Sequence, residues 1–218
     1  VHPRMINNSF GIQRGTNPAT ASVDFFYGQD KEGKAEAFIK PENGRGYFWL
    51  FATTRTSEGV FIFLQNVENY KTGTPFGFRT FDTVLGQIKN PDDEPAQWKI
   101  KQTRIPFAKF EPDEQLMLGS AILHEKPFVY IYGTHTLTNQ NRRSELVLIR
   151  VNEHKLADFS AWEFFTEKGW KKSNRNLQSL STKTSSEFSV SWLPSLKKYV
   201  LVQSDGIFGG IKISFSEK

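Results

Sequence analysis

A unit of four apolar, strand-length segments recurs along this chain every 60–70 residues, and that recurrence limits the folds open to it more than any other feature. One copy runs through residues 47–52, 60–65, 83–88 and 98–102, and the next through 118–123, 128–133, 145–150 and 161–165. A third begins at Glu187, continues through 199–203 and 210–214, and stops without a fourth segment. Phe61 and Val129 are 68 positions apart and Val129 and Tyr199 are 70; Val84 and Val147 are 63 apart and Val147 and Ile211 are 64. Four antiparallel strands repeated at such a period predict a β-propeller, whose blades stand around a central channel. The period exceeds the about 40–45 residues of a WD40 blade and no WD dipeptide appears, so the excess falls in loops, where binding clefts are built. A ring needs at least about four blades. The expectation is therefore an all-β, single-domain (1–218) but partial propeller: 1–46 the end of a first blade, 47–116 and 117–184 two full blades, 185–218 an incomplete one. The missing blades are expected from the rest of a longer polypeptide or from a partner chain.

Composition agrees. Helical periodicity is nearly absent, with a hint of a turn at 153–157, and 90–95 is too rich in Pro and Asp to be helical. The 20 Phe residues favour strands. Residues 23–28 and 35–39 read as short strands before the first full copy. No run of about 18 apolar residues occurs, so no membrane span is expected. With no cysteine, disulfides, thiolate chemistry and the usual structural zinc are excluded. The net charge of +5 raises the question of nucleic acid, but basic residues cluster only at Lys168, Lys171, Lys172 and Arg175 and at Arg142-Arg143. Elsewhere they alternate with Asp and Glu, which predicts a solvated surface and no nucleic-acid partner.

The residues from Ser185 to Trp192 alternate polar and apolar with the period of a strand, which places Glu187 on one face with Ser189 and Ser191. A carboxylate among hydroxyls suits an acid/base group aimed into a polar cleft, and equally a solvated strand residue. Met5-Ile6-Asn7-Asn8-Ser9 with Gly11-Ile12-Gln13, Asn90-Pro91 with Pro95 and Trp98, Val129-Tyr130-Ile131-Tyr132-Gly133, Leu156-Ala157-Asp158-Phe159-Ser160-Ala161-Trp162-Glu163 and Glu187-Phe188-Ser189-Val190-Ser191 resemble an uncharacterised-domain family of secreted bacterial five-bladed propellers. That family includes endo-arabinanases and is similar in architecture to the arabinanase and invertase glycoside hydrolases. The resemblance implies a five-bladed glycosidase-like propeller, secreted or periplasmic, acting on a polysaccharide such as arabinan, with acidic residues of successive inner strands converging on one end of the channel. It implies Glu187 as acid/base. Where the family's pattern presents an Asp on an inner strand, this chain has Ala52 or Thr53, and two-carboxylate hydrolysis cannot run on one carboxylate. A non-catalytic glycan-binding or protein-interaction propeller is the alternative.

Further candidates are neutral. Asn7, Asn8, Ser9 and Gln13 can bind sugar hydroxyls or satisfy backbone groups where blades meet. Trp49 and Trp192 are inner-strand indoles able to stack on a sugar or to join the core, whereas Trp98 and Trp162 recur on outer strands as core between blades. His135 reads as a cleft donor or an exposed loop histidine, and Ser189 as a sugar contact beside Glu187. His2, His124 and His154 have no metal-ligand spacing, and neither a phosphate loop nor a Gly-x-Ser-x-Gly elbow occurs; no metal or cofactor is expected.

Overall fold

The computed structural model describes residues 5–71, 73, 77–137, 144–206 and 209–217; His2, Arg142 and Arg143 lie outside the described residues. Two small ribbons come first: β1 (Phe10–Arg14) pairs with β2 (Ser22–Phe26), and β3 (Gly28–Gln29) with β4 (Ala35–Glu36). A four-stranded antiparallel sheet follows in sequential order, from β5 (Tyr47–Thr56) and β6 (Gly59–Asn69) to β7 (Phe78–Ile88) and β8 (Ile100–Arg104). The next sheet contains β9 (Lys109–Phe110), β10 (Glu114–Glu125), β11 (Phe128–Leu137), β12 (Ser144–Asn152), β13 (Glu163–Thr166) and β14 (Gly169–Lys171), with β15 (Ser181–Thr182) on β12. The last is a three-stranded meander of β16 (Phe188–Leu193), β17 (Lys198–Ser204) and β18 (Ile211–Ser216).

Each recurring segment read from the sequence lies wholly or largely in a strand of these three sheets, and the molecule is all-β with several antiparallel sheets. Short 3-10 turns at Pro95–Gln97, Glu153–Lys155 and Phe159–Ala161 are the helical elements; no helix among the described residues is long and apolar enough to cross a membrane. The β5–β6 hairpin turns tightly at Ser57 and Glu58 because Gly59 adopts φ +118°, where a side chain would also strike the Ile88 carbonyl.

Alternation along β6 decides the packing. Phe61 and Phe63 point one way into a core shared with Leu116, Leu118, Val129, Ile131, Trp162 and Phe164 of the neighbouring sheet. Ile62 and Leu64 point the other way, with Ile39, Phe48, Val84 and Ile88, against Phe10, Phe38 and Trp98. Both faces of the β5–β8 sheet are thus covered, and each fully buried side chain of this size contributes about 1.5–3 kcal/mol. Trp162, fully buried, is core between sheets as the sequence predicted, and Trp98 packs edge-on against Phe10 and Phe38.

β5, β10 and β16, the first strands of the three recurring units read from the sequence, are neighbours, with β10 packed against both β5 and β16. β5 and β10 break register at corresponding places, between Leu50 and Thr53 and between Leu118 and Ala121. Such bulges bend a strand and re-aim its side chains.

Candidate functional site

A cavity of about 520 Å³ opens where these first strands meet the N-terminal segment. Asn7, Asn8 and Ser9 line it from that segment, Trp49, Leu50 and Phe51 from β5, Ser120 from the β10 bulge, and Glu187 and Phe188 from the start of β16. Of the residues singled out in the sequence, Asn8, Ser9, Trp49 and Glu187 come together here. Gln13, His135 and Ser189 do not.

Local structure explains each placement. Asn8 is buried with its amide committed to backbone: Nδ2 donates to the carbonyls of Ile39 and Phe48, and Oδ1 accepts from Ile39 N. It clamps the N-terminal segment to β5 and has little left for a ligand, whereas Asn7 and Ser9 on either side are exposed. Trp49 stands on β5 with its ring edge-to-face on Phe78 at 4.7 Å. Glu187 falls in a bend one residue ahead of β16, off the strand face expected for it, because the ladder begins at Phe188 opposite Gln203. Ser185 Oγ donates to the Glu187 carbonyl at 2.6 Å, and the buried Gln203 accepts from Ser185 N. The Glu187 side chain is exposed, and among the described residues it is the only charged one lining the cavity.

Gln13 on β1 donates to the Gly15 carbonyl, and His135 on β11 pairs with Glu114 at 3.0 Å. Glu114 also pairs with Lys109, which holds its carboxyl below the ordinary range. Ser189 is exposed on the opposite face of β16 from Phe188. Trp192 stacks with Tyr199 at 4.9 Å, outside the cavity. Asp24 and Asp82 are paired with Arg14 and Arg104, away from the cavity.

Ser120 was not anticipated. Among the described residues two buried side-chain atoms make no hydrogen bond, Asn66 Oδ1 and Ser120 Oγ; Ser120 is a lining residue of the cavity, but its Oγ is itself closed off from solvent. Leaving such a group unpaired costs about 1–3 kcal/mol, so it asks for an explanation. The bulge carrying it is held from the adjacent sheet: Gln65 Nε2 donates to the Leu118 carbonyl at 2.8 Å, and Thr83 Oγ1 donates to Gln65 Oε1. Gly119 has φ +85° and lies against the Phe63 ring, where any Cβ would collide. The repeat contained the signal, since Ser120 is 68 positions after Ala52, the spacing that relates Phe61 to Val129.

A second cavity, about 670 Å³, separates the β9–β15 sheet from β16–β18. Its polar groups answer one another: Tyr199 donates to both Glu125 oxygens at 2.8 Å. Burial pushes the Tyr132 phenol up, and burial followed by the Glu125 contact pushes Tyr199 up to about 12. His124 Nε2 meets Glu153 at 2.8 Å and His154 Nδ1 meets Ser57 at 2.9 Å, but His154 Nε2 is 3.8 Å from Glu153, outside hydrogen-bond reach for a Ser-His-acid relay. No group of three or more His, Asp or Glu placed to hold a metal occurs among the described residues.

The fold is similar to that in a crystal structure of a "putative hydrolase" from Bacteroides ovatus ATCC 8483, with a TM-score of 0.59 and 15% identity over 85% of this chain. The match covers 49% of that protein, so this chain spans about half its length, and at such identity the likeness is one of fold. No curated protein matches. The family described as Domain of unknown function (DUF5005) matches residues 1–217, essentially the whole repeat pattern and every residue of the cavity, and the chain belongs to that family.

Proposed function

We propose that the three larger sheets are consecutive blades of a glycosidase-like β-propeller, that β5, β10 and β16 are its innermost strands, and that the cavity between them is a carbohydrate cleft in a secreted or periplasmic protein. The observation that carries this reading is the convergence of an indole, an exposed hydroxyl and amide, and one carboxylate, from three separate parts of the chain, on a single cavity. The apolar face of a sugar suits Trp49, sugar hydroxyls suit Ser9 and Asn7, and Glu187 stands at the exposed side as the acid/base candidate.

Hydrolysis by carboxylate chemistry needs a second carboxylate about 5 Å away for retention, or about 6.5–9.5 Å away for inversion. None lines the cavity among the described residues, so binding is the part of the function this chain's own residues support best. The same observation favours a second reading, a glycan-binding propeller without catalysis.

Calorimetric titration with arabino-oligosaccharides, alongside a reducing-sugar assay on arabinan, separates the two. Trp49→Ala is expected to weaken binding several-fold, in line with about 1 kcal/mol for an aromatic contact. Glu187→Gln is expected to abolish any hydrolysis; hydrolysis that persists removes Glu187 from the chemistry. Binding without hydrolysis by the parent protein selects the second reading, and absence of glycan binding rejects both.

A further inference from the structure

We infer that the larger cavity, between the β9–β15 sheet and β16–β18, is a binding site for a small organic cation, a quaternary or alkylated ammonium. The inference is independent of the carbohydrate reading, which concerns the other cavity. The walls here are aromatic: Tyr130, Tyr132, Phe165 and Trp170 line the space from one sheet and Tyr199 from the other, around a volume of about 670 Å³. Alternation puts Tyr130 and Tyr132 on one face of β11, and Trp170 stands opposite Phe165 in the β13–β14 ladder. Packed sheets ordinarily interdigitate their side chains, and a gap of this size means that these two do not. Glu125, Tyr130, Trp170 and Tyr199 are each half-buried, so the walls keep surface that a ligand can reach.

Charge selects among the apolar ligands that would fit. Among the described residues the lining holds two carboxylates, Glu125 and Glu217, and no cationic side chain. Lys198 offsets Glu217 from 3.8 Å, whereas no ion pair among the described residues reaches Glu125. The Tyr199 hydroxyl donates to both Glu125 oxygens at 2.8 Å, which orients that carboxylate without neutralising it. An uncompensated carboxylate beside aromatic rings favours a cation and repels an anion, and methyl groups on the cation gain further from the apolar walls. The same wall already uses this chemistry once. The Arg150 guanidinium lies 4.3 Å from the Trp170 ring centroid and 4.5 Å from that of Phe128, with Glu163 at 2.8 Å from its Nε. Arg150 is outside the cavity lining and is paired with Glu163, so it does not compensate Glu125.

The experiment is calorimetric titration of the full chain with choline and with neohexyl alcohol, its uncharged carbon isostere, for the parent protein, Glu125→Gln, Tyr130→Leu and Trp49→Ala. The parent is expected to bind choline about tenfold more tightly than the alcohol, because the two probes share a shape and differ in charge. Glu125→Gln keeps an acceptor for the Tyr199 hydroxyl and removes the charge, so it should erase most of that preference while leaving the affinity for the alcohol and the thermal midpoint little changed. Tyr130→Leu keeps an apolar wall but removes a ring face, and should weaken choline about threefold or more while leaving the alcohol within about twofold. Trp49→Ala, in the other cavity, should change neither. Equal affinity of the parent for the two probes, or no binding of either, overturns the inference. So does a preference for choline that survives Glu125→Gln, or one that disappears in Trp49→Ala and thereby places the cation beside Glu187 in the smaller cavity. Should Glu125→Gln lower the thermal midpoint, Tyr130→Leu carries the test, and equal weakening of both probes there overturns the inference. Glycan binding is titrated separately, so each of these failures leaves the carbohydrate reading standing.

Discussion

The two joints that connect the three larger sheets are built on different terms. Between β5–β8 and β9–β15 the contact is apolar and full: Phe61, Phe63 and Leu85 meet Leu116, Leu118, Val129 and Trp162, and the Gly119 backbone lies directly on the Phe63 ring. Between β9–β15 and β16–β18 a cavity of about 670 Å³ remains, lined by Tyr130, Tyr132, Trp170 and Tyr199, with Glu125 and Tyr199 hydrogen-bonded across it. The first joint is specified by volume, so the loss or addition of even one carbon is felt in its stability. The second is specified by a directional contact and by the placement of a few phenols, and it leaves room. The β10 bulge that lines the smaller cavity belongs to the filled joint, tied to it by the Gln65–Leu118 hydrogen bond.

Mutations at the two joints test this contrast. Phe63→Ala should cost about 3–5 kcal/mol in denaturant unfolding, the range for removing a buried ring, and a loss under about 1 kcal/mol would mean that the joint is not packed as described. Gly119→Ala should cost about 2 kcal/mol or more, since it combines a positive φ with a collision against Phe63. In the Phe63→Ala background that cost should shrink, because the collision partner is gone; strict additivity would show that the two residues do not touch.

At the open joint the effects are smaller. Tyr199→Phe leaves the Glu125 carboxylate without its donor and should cost about 1–2 kcal/mol. The phenol is raised in the folded state above its ordinary 10.0, to about 12, so the folded protein holds that proton more tightly than the unfolded chain. Its contribution is full below pH 10 and is lost as pH rises through about 12. Tyr199→Phe should therefore flatten the fall in stability between pH 10 and 12, and an identical fall in both proteins would contradict the contact. The smallest effect belongs to Glu68 at the rim of β6, where hydrogen bonds from Arg45 and then Arg79 hold the carboxyl down to about 2. Its stabilisation is present above pH 4.5 and is lost as pH falls toward 2, so Glu68→Gln should blunt acid destabilisation without altering the alkaline limb. Coupling between that variant and Tyr199→Phe would break the picture of two independent regions.

Much of the framework was legible in the residues. The apolar, strand-length runs at 47–52, 60–65, 118–123 and 128–133 all became strands, residues 57–59 closed the hairpin between the first two, and Trp162 went into the core. The site was legible only in outline. Asn8 was a candidate sugar contact from its type, and the proximity of Ile39 and Phe48 gave its amide to the backbone. His135 likewise went to Glu114, and Glu187 fell one residue ahead of a ladder that begins at Phe188. Ser120 carried no motif, and its position only acquires meaning from the bulge.

Alternation and repetition by themselves determined that this chain forms antiparallel sheets of similar plan, because strand burial is a local matter of which side chains fall on each face. Which polar groups remain free to meet a ligand was decided only when the sheets came together. A hydrogen-bonding side chain is spent or spared according to which backbone arrives beside it, and segments dozens of residues apart, such as Asn8 with Phe48 or Gln65 with Leu118, set that outcome.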